Sequence, residues 1–156
     1  MTATYTITEI VLPHQDTAVI RAELKATHLA EWLGSTYTTV SGYLARAQVP
    51  PAGPPFARFT FLADVVVVEA GFPVPTEVAG EGAVVPSALP DGPAVRTTHL
   101  GRYEDVEYAY QAITRWLDER GRAPAGPHWE VYYTDPAEEP DPSRWRTDVV
   151  VPYRTR

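Results

Sequence analysis

The sequence predicts an α+β protein with a duplicated strand–helix–strand–strand module and one extra strand in front. Three observations carry that expectation. Pro-Ala-Gly-Pro occurs at Pro51–Pro54 and again at Pro124–Pro127, 73 positions apart, and each copy leads into residues rich in aromatic and β-branched side chains. A DVVV run follows each copy, within Ala63–Val68 and within Thr147–Pro152. Each copy is also preceded by a segment whose apolar residues recur at helical spacing.

Taken in order, Tyr5–Pro13 alternates polar and apolar residues and reads as a strand. Thr17–Lys25 reads as its neighbour, with Pro13–Asp16 as the turn. From Thr27 to Gln48 the period becomes helical through Leu29, Trp32, Leu33, Tyr37, Val40, Leu44 and Ala45. Gly34-Ser35 is a candidate kink, and Pro50, Pro51, Pro54 and Pro55 stop the helix. Phe56–Leu62 and Asp64–Ala70 are strands, the second closed by Gly71. Glu77–Pro93 is rich in Gly, Pro and Ala without periodicity, which predicts a linker. The expected organisation is therefore one domain over 1–156, with halves 1–78 and 93–156 and a linker over 79–92.

Ala94–Leu100 begins the second module as a strand. Tyr103–Gly121 is the clearest helix, with Val106, Ala109, Tyr110, Ile113, Trp116 and Leu117 as one apolar stripe. Glu104, Asp105 and Glu107 suit its N-terminal dipole, and Gly121 is placed to end it. His128–Thr134 and Arg146–Pro152 supply two more strands, joined by the acidic, proline-rich stretch Asp135–Ser143. The two modules should form an antiparallel sheet carrying two main helices.

Composition narrows the function. A net charge of −7 argues against a broad nucleic-acid surface. The absence of cysteine removes disulfides, thiolate metal sites and thiol nucleophiles. No segment approaches a membrane span, and the first residues lack a signal-peptide pattern, so the expected compartment is the cytoplasm. His14, His28, His99 and His128 make no metal-ligand spacing, and no cofactor motif, nucleophile elbow or phosphate loop is present. No metal and no cofactor are expected.

Several motifs resemble one family. Gly101-Arg102-Tyr103-Glu104 opens the second helix, and Trp116-Leu117 lies near its end. Gly126-Pro127 leads into Trp129-Glu130-Val131-Tyr132, then Thr134-Asp135-Pro136. Trp145, Thr147, Asp148 and Pro152 mark the last strand. In this order and spacing they resemble the GyrI-like small-molecule-binding domain, also called the AraC-type effector-binding domain. The resemblance spans nearly the whole chain and implies a pseudo-two-fold fold with a ligand cleft where the halves meet. It also implies a stand-alone form, since the first strand begins so near residue 1. Relatives sense or sequester drugs, often lipophilic cations, and some hydrolyse reactive small molecules.

Strand alternation puts Glu130, Tyr132 and Thr134 on one face of their strand and Trp129, Val131 and Tyr133 on the other. One face should pack on the helices and the other line the cleft. The duplication pairs Glu130 and Tyr132 with Ala57 and Phe59, so a carboxylate on one half faces apolar groups on the other. Aromatic rings supply area and cation–π attraction, and a desolvated carboxylate supplies orientation. The candidate ligand-binding residues are Glu130, Tyr132, Tyr103, Trp145, Phe59 and Glu69. Against this stand plainer readings: Glu130 as a solvated strand residue, Glu69 as a strand-end charge, Phe59 as core, and Tyr103 and Trp145 as packing.

The expected function is binding of a small, partly aromatic, cationic or electrophilic molecule for sensing, sequestration or resistance. The alternative is a hydrolase of an electrophilic toxin with Glu130 or Glu69 as general base. A third reading is a protein-binding inhibitor module acting through the acidic surface. The expected partner is a small aromatic molecule, with neither nucleic acid nor membrane bound directly.

Overall fold

The computed structural model describes residues 4–155. In chain order the elements are β1 (Thr8–Leu12), β2 (Gln15–Lys25), α1 (Leu29–Ala47), β3 (Phe56–Leu62), β4 (Val65–Pro73), β5 (Val85–Leu89), β6 (Gly92–Leu100), α2 (Glu107–Glu119), β7 (Arg122–Pro124), β8 (His128–Tyr132) and β9 (Arg146–Thr155). The strand pairs within each unit are antiparallel. Among the described residues no helix is long and apolar enough to cross a membrane.

Pro13–Asp91 form one compact unit, and the chain from Gly92 onward forms the other together with the segment up to Leu12. In the Pro13–Asp91 unit β4 lies between β3 and β2, and β5 flanks β2. Val40, Tyr43 and Leu44 of α1 pack on Ala18, Val74, Val78 and Val84. The helix runs unbroken through Gly34-Ser35 and ends where Gln48 turns left-handed (φ 58°), before the prolines. Ala45, expected on the apolar stripe, is exposed, because the buried stripe continues through Tyr43 and Leu44. Gly71 is required by close approach: a Cβ there would lie 1.9 Å from the Ala18 carbonyl oxygen on the adjacent strand.

In the other unit β9 lies between β6 and β8, β1 flanks β6, and β7 pairs with the end of β9. Ala109, Ile113 and Leu117 of α2 pack on Val95, Val149 and Val151. The expected stripe is thus buried along its centre. Gly121 takes a left-handed conformation (φ 64°) just past the helix. The Arg120 guanidinium folds back over the Trp116 ring at 3.9 Å.

The module repeats as expected, and matching contacts set its register. The Ala52 amide donates to the Pro73 carbonyl at 2.8 Å, and the Ala125 amide donates to the Pro152 carbonyl at 2.8 Å. Phe56 pairs with Gly71 as Trp129 pairs with Val150. Buried Thr36, Val40 and Leu44 on α1 correspond to buried Ala109, Ile113 and Leu117 on α2, again 73 positions on.

Three expectations need correction. The DVVV runs do not occupy equivalent positions. The contacts equate Pro73 with Pro152, whereas the run of valines aligns Val68 there; a repetitive apolar run matches itself in several registers. β1 pairs with β6, not with its sequence neighbour β2. Only Pro13-His14 separate β1 from β2, and this pair lacks the positive-φ residues of a two-residue hairpin. Finally, the expected linker over 79–92 contains β5, whose Val85–Leu89 pair with Gln15–Val19. Its one-sided pairing explains the weak signal, since Pro86 is tolerated on an edge strand.

Candidate functional site

Register places the expected residues on the α2 side of the sheet. Thr97, Val149 and Glu130 form one row across β6, β9 and β8, and His99, Thr147 and Tyr132 form the next. Val149 belongs to the core beneath α2, so Glu130 and Tyr132 share the helix-facing surface. The expectation is that the helix takes one face and the candidate residues the other; Glu130 and Tyr132 instead share the face that α2 covers. Trp129, on the opposite face, is buried.

The Glu130 carboxylate is gripped from two sides. Tyr110, on α2, donates its hydroxyl to Oε2 at 2.6 Å. Tyr132, two residues along β8, donates to Oε1 at 3.1 Å. Burial pushes the carboxyl above its ordinary value, and the two hydroxyl donors and His99 partly offset that rise. Burial and the neighbouring Glu130 charge also push the Tyr110 phenol strongly upward, so Tyr110 stays a donor. Among the described residues no basic side chain forms an ion pair with Glu130.

Two further rings extend the cluster from Tyr132. Tyr103, in the short 3-10 turn ahead of α2, meets Tyr132 edge-on at 5.8 Å and stacks on Trp145 at 5.2 Å. The Trp145 indole N–H donates to the Glu139 carbonyl at 2.7 Å, which fixes the ring at the end of the acidic loop. Burial, Asp135 and Glu130 raise the Tyr103 phenol. On the other side of Glu130, Tyr110 meets His128 edge-on at 4.7 Å, and burial lowers the His128 imidazole. The structure therefore brings together Glu130, Tyr132, Tyr103 and Trp145. A shallow groove of about 590 Å³ along α2 touches this cluster only at Tyr110.

Phe59 and Glu69 lie in the Pro13–Asp91 unit. Phe59 is buried and stacks on Phe61 at 5.6 Å. Glu69 Oε1 accepts from Arg21 at 2.7 Å and from Ser87 at 2.9 Å. Its register partner on β2 is Arg21, as the β6 partner of Asp148 is Thr98. Asp148, buried where Glu69 is only partly so, is likewise tied to an arginine, Arg146, at 3.2 Å. Glu69 thus repeats Asp148, whereas Ala57 holds the position of Glu130.

Sequence reasoning did not assign Tyr110 or His99 to the site. Tyr110 was legible only as part of the apolar stripe; its polar tip among aliphatic neighbours was the available signal. His99 gave none, because its partner Tyr5 is 94 positions away.

The arrangement has two chemical capacities. A desolvated carboxylate beside aromatic rings suits a bulky organic cation. A carboxylate with raised basicity also suits removal of a proton from water.

Residues 62–154 match the GyrI-like small molecule binding domain. No curated protein matches the chain. Among solved structures the chain is similar to the C-terminal domain of EcmrR, with TM-score 0.84 and 15% identity, covering 99% of this chain and 100% of that one. Against EcmrR in a cryo-EM complex with DNA, the TM-score is 0.80 at 18% identity, and the match covers 97% of this chain but 58% of that one. A hydrolase from Listeria innocua gives 0.70 at 12% identity, with 95% and 91% covered. SAV2435 bound to tetraphenylphosphonium gives 0.62 at 11% identity, with 97% and 94% covered. At these identities the likeness is one of fold, and the family rests on the match over 62–154: the chain belongs to the GyrI-like small molecule binding domains.

Proposed function

We propose that this protein binds a bulky, partly aromatic cation against Glu130, with Tyr103, Tyr132 and Trp145 as walls. One observation carries the reading: the Glu130 carboxylate is largely desolvated, held by two tyrosine hydroxyls, and paired with no basic side chain among the described residues. A buried charge without a counter-charge is costly, and a ligand cation relieves that cost. Each good ring contact adds about 0.5–2 kcal/mol for a desolvated cation. The tetraphenylphosphonium held by SAV2435, a protein of similar fold, supports this class of ligand. Such binding serves sensing, sequestration or resistance according to the ligand met.

The test is calorimetric titration with tetraphenylphosphonium beside triphenylphosphine oxide, a neutral aryl control. The cation should bind and the control should bind far more weakly. Equal affinities, or none for either, would sink the reading.

Hydrolysis of an electrophilic small molecule stands second. It is favoured by the raised carboxyl of Glu130 and by the similar fold of the Listeria innocua hydrolase. Glu130 would take a proton from the attacking water while a tyrosine hydroxyl steadies the leaving group. Turnover of a reactive aryl epoxide, lost in Glu130→Gln, separates catalysis from binding alone.

A further inference from the structure

We propose that His99 is a positioning residue for the ligand-binding wall, pinning Tyr103 in place through the backbone of Arg102. This rests on the reading of the Glu130 cluster as the binding site.

The geometry begins at Gly101. Its φ of 134° is open to glycine and strained for other residues, and it turns the chain sharply away from β6. The next residue, Arg102, is extended and opens the 3-10 turn that carries Tyr103; no side chain caps that turn. Three hydrogen bonds hold this corner instead. The Gly101 amide donates to the Trp145 carbonyl at 2.8 Å, the Asp105 amide to the Arg102 carbonyl at 3.1 Å, and the His99 Nε2 to the Arg102 carbonyl at 2.8 Å. The corner therefore joins both members of the stacked pair, Tyr103 and Trp145.

His99 is suited to this task by its own restraint. It is 3% exposed, and its other nitrogen, Nδ1, lies 2.9 Å from the Tyr5 hydroxyl. A carbonyl only accepts, so Nε2 carries a proton and donates to Arg102, while Nδ1 pairs with the Tyr5 hydroxyl. Tyr5 also stacks along the imidazole at 6.1 Å. The Arg102 carbonyl thus sets the proton on Nε2, the Tyr5 hydroxyl holds the ring by its other nitrogen, and the Nε2 bond ties down the carbonyl that opens the turn bearing Tyr103. His99 also shares a sheet row with Tyr132, the opposite ring of the wall.

The two amide replacements of histidine separate this role from simple packing. The Gln side chain reaches the Nε2 position and keeps a donor for the Arg102 carbonyl. The Asn side chain stops at the Nδ1 position, so it keeps the Tyr5 contact and loses the Arg102 one. Both cost stability through lost packing. Tetraphenylphosphonium affinity should stay within about twofold in His99→Gln and fall about three- to tenfold in His99→Asn, the factor for one net hydrogen bond. The Trp145 indole N–H resonance, shifted by the Tyr103 ring, should move in the Asn variant and not in the Gln variant. Equal losses of affinity in both, tracking their melting temperatures with the Trp145 resonance unmoved, would overturn the proposal. If the unaltered protein binds no tetraphenylphosphonium, the functional reading fails and the Trp145 resonance alone decides the role of His99. Should His99→Asn not fold, Gly101→Ala reads the same corner, because it strains φ and sets a methyl 3.6 Å from His99 Nε2. There, a displaced Trp145 resonance supports the role and an unmoved one refutes it.

Discussion

Replacing Glu130 with glutamine should weaken cation binding and stabilise the empty protein at neutral pH. The binding term follows from charge. A cation centre about 6 Å from the carboxylate, at an effective dielectric near 20, is attracted by roughly 3 kcal/mol. Loss of ligand hydration offsets part of that, leaving ~1–3 kcal/mol, or roughly 5- to 150-fold in dissociation constant. A neutral aryl ligand of similar shape should change far less. The stability term has the opposite sign. The folded carboxyl is raised above its ordinary value of 4.5, with burial as the largest cause. Its favourable protonated form is fully present below the unfolded value, and that contribution is lost as pH rises through the folded one. Glutamine has no such loss, so the variant should melt higher than the parent near pH 7, with the difference shrinking toward pH 4.5. Cation affinity in the parent should decline as pH falls from the raised free value and level off below the lower ligand-bound value. Titration calorimetry across pH with parallel thermal melts tests all three. A glutamine variant that binds the cation as tightly as the parent would refute the reasoning, leaving Glu130 a buried polar residue without a role in ligand charge.

Tyr110→Phe removes the 2.6 Å donor that lowers the Glu130 carboxyl, so the pH midpoint of cation binding should move upward in the same titration. Gly71→Ala should cost about 3 kcal/mol or more in denaturant melts, because the new methyl meets the Ala18 backbone rather than a side chain able to turn aside. Leu44→Ala and Leu117→Ala should each cost about 2–5 kcal/mol, since both are buried at matching places of the repeat. A loss at only one of them would break the equivalence of α1 and α2.

The repeat was legible where its chemistry is local. Pro-Ala-Gly-Pro marks a turn in both copies, and each turn ends in the same amide-to-carbonyl bond onto the last strand of its module. The last strands themselves were misaligned, because valine runs fill any buried strand and carry no register. The partner of β1 was illegible for a related reason: TEIVL states a strand and says nothing of which edge receives it. Of the site, alternation put Glu130 and Tyr132 on one face correctly. The meeting of Tyr103 with Trp145, 42 positions apart, came from resemblance rather than from spacing. The side of the sheet was not legible, because α2 covers the core with Ala109, Ile113 and Leu117 and turns Tyr110 toward β8, so one face carries both the packing and the Glu130 cluster.

The two units also show how a buried carboxylate arises on a scaffold that does not require one. Tyr37 of α1 and Tyr110 of α2 hold equivalent places. Tyr37 satisfies its hydroxyl on the Phe56 carbonyl at 2.9 Å, a bond that needs no special neighbour. The β3 residue beside it is Ala57, fully buried and without a polar group to satisfy. In the other unit the same tyrosine position faces Glu130, and Tyr132 replaces Phe59 as a second donor. Two positions therefore turn an apolar helix–sheet contact into a charged one. The strand order and the buried helix triplet stay unchanged. Removing water from a carboxylate is unfavourable whatever the surrounding fold, so two hydroxyl donors reduce the penalty without cancelling its charge. A basic partner such as the arginine beside Asp148 or Glu69 would have cancelled it. The absence of such a partner among the described residues, set beside two carboxylates that have one, leaves Glu130 with a charge the sheet does not use, and that is the ground for proposing it as the ligand's partner.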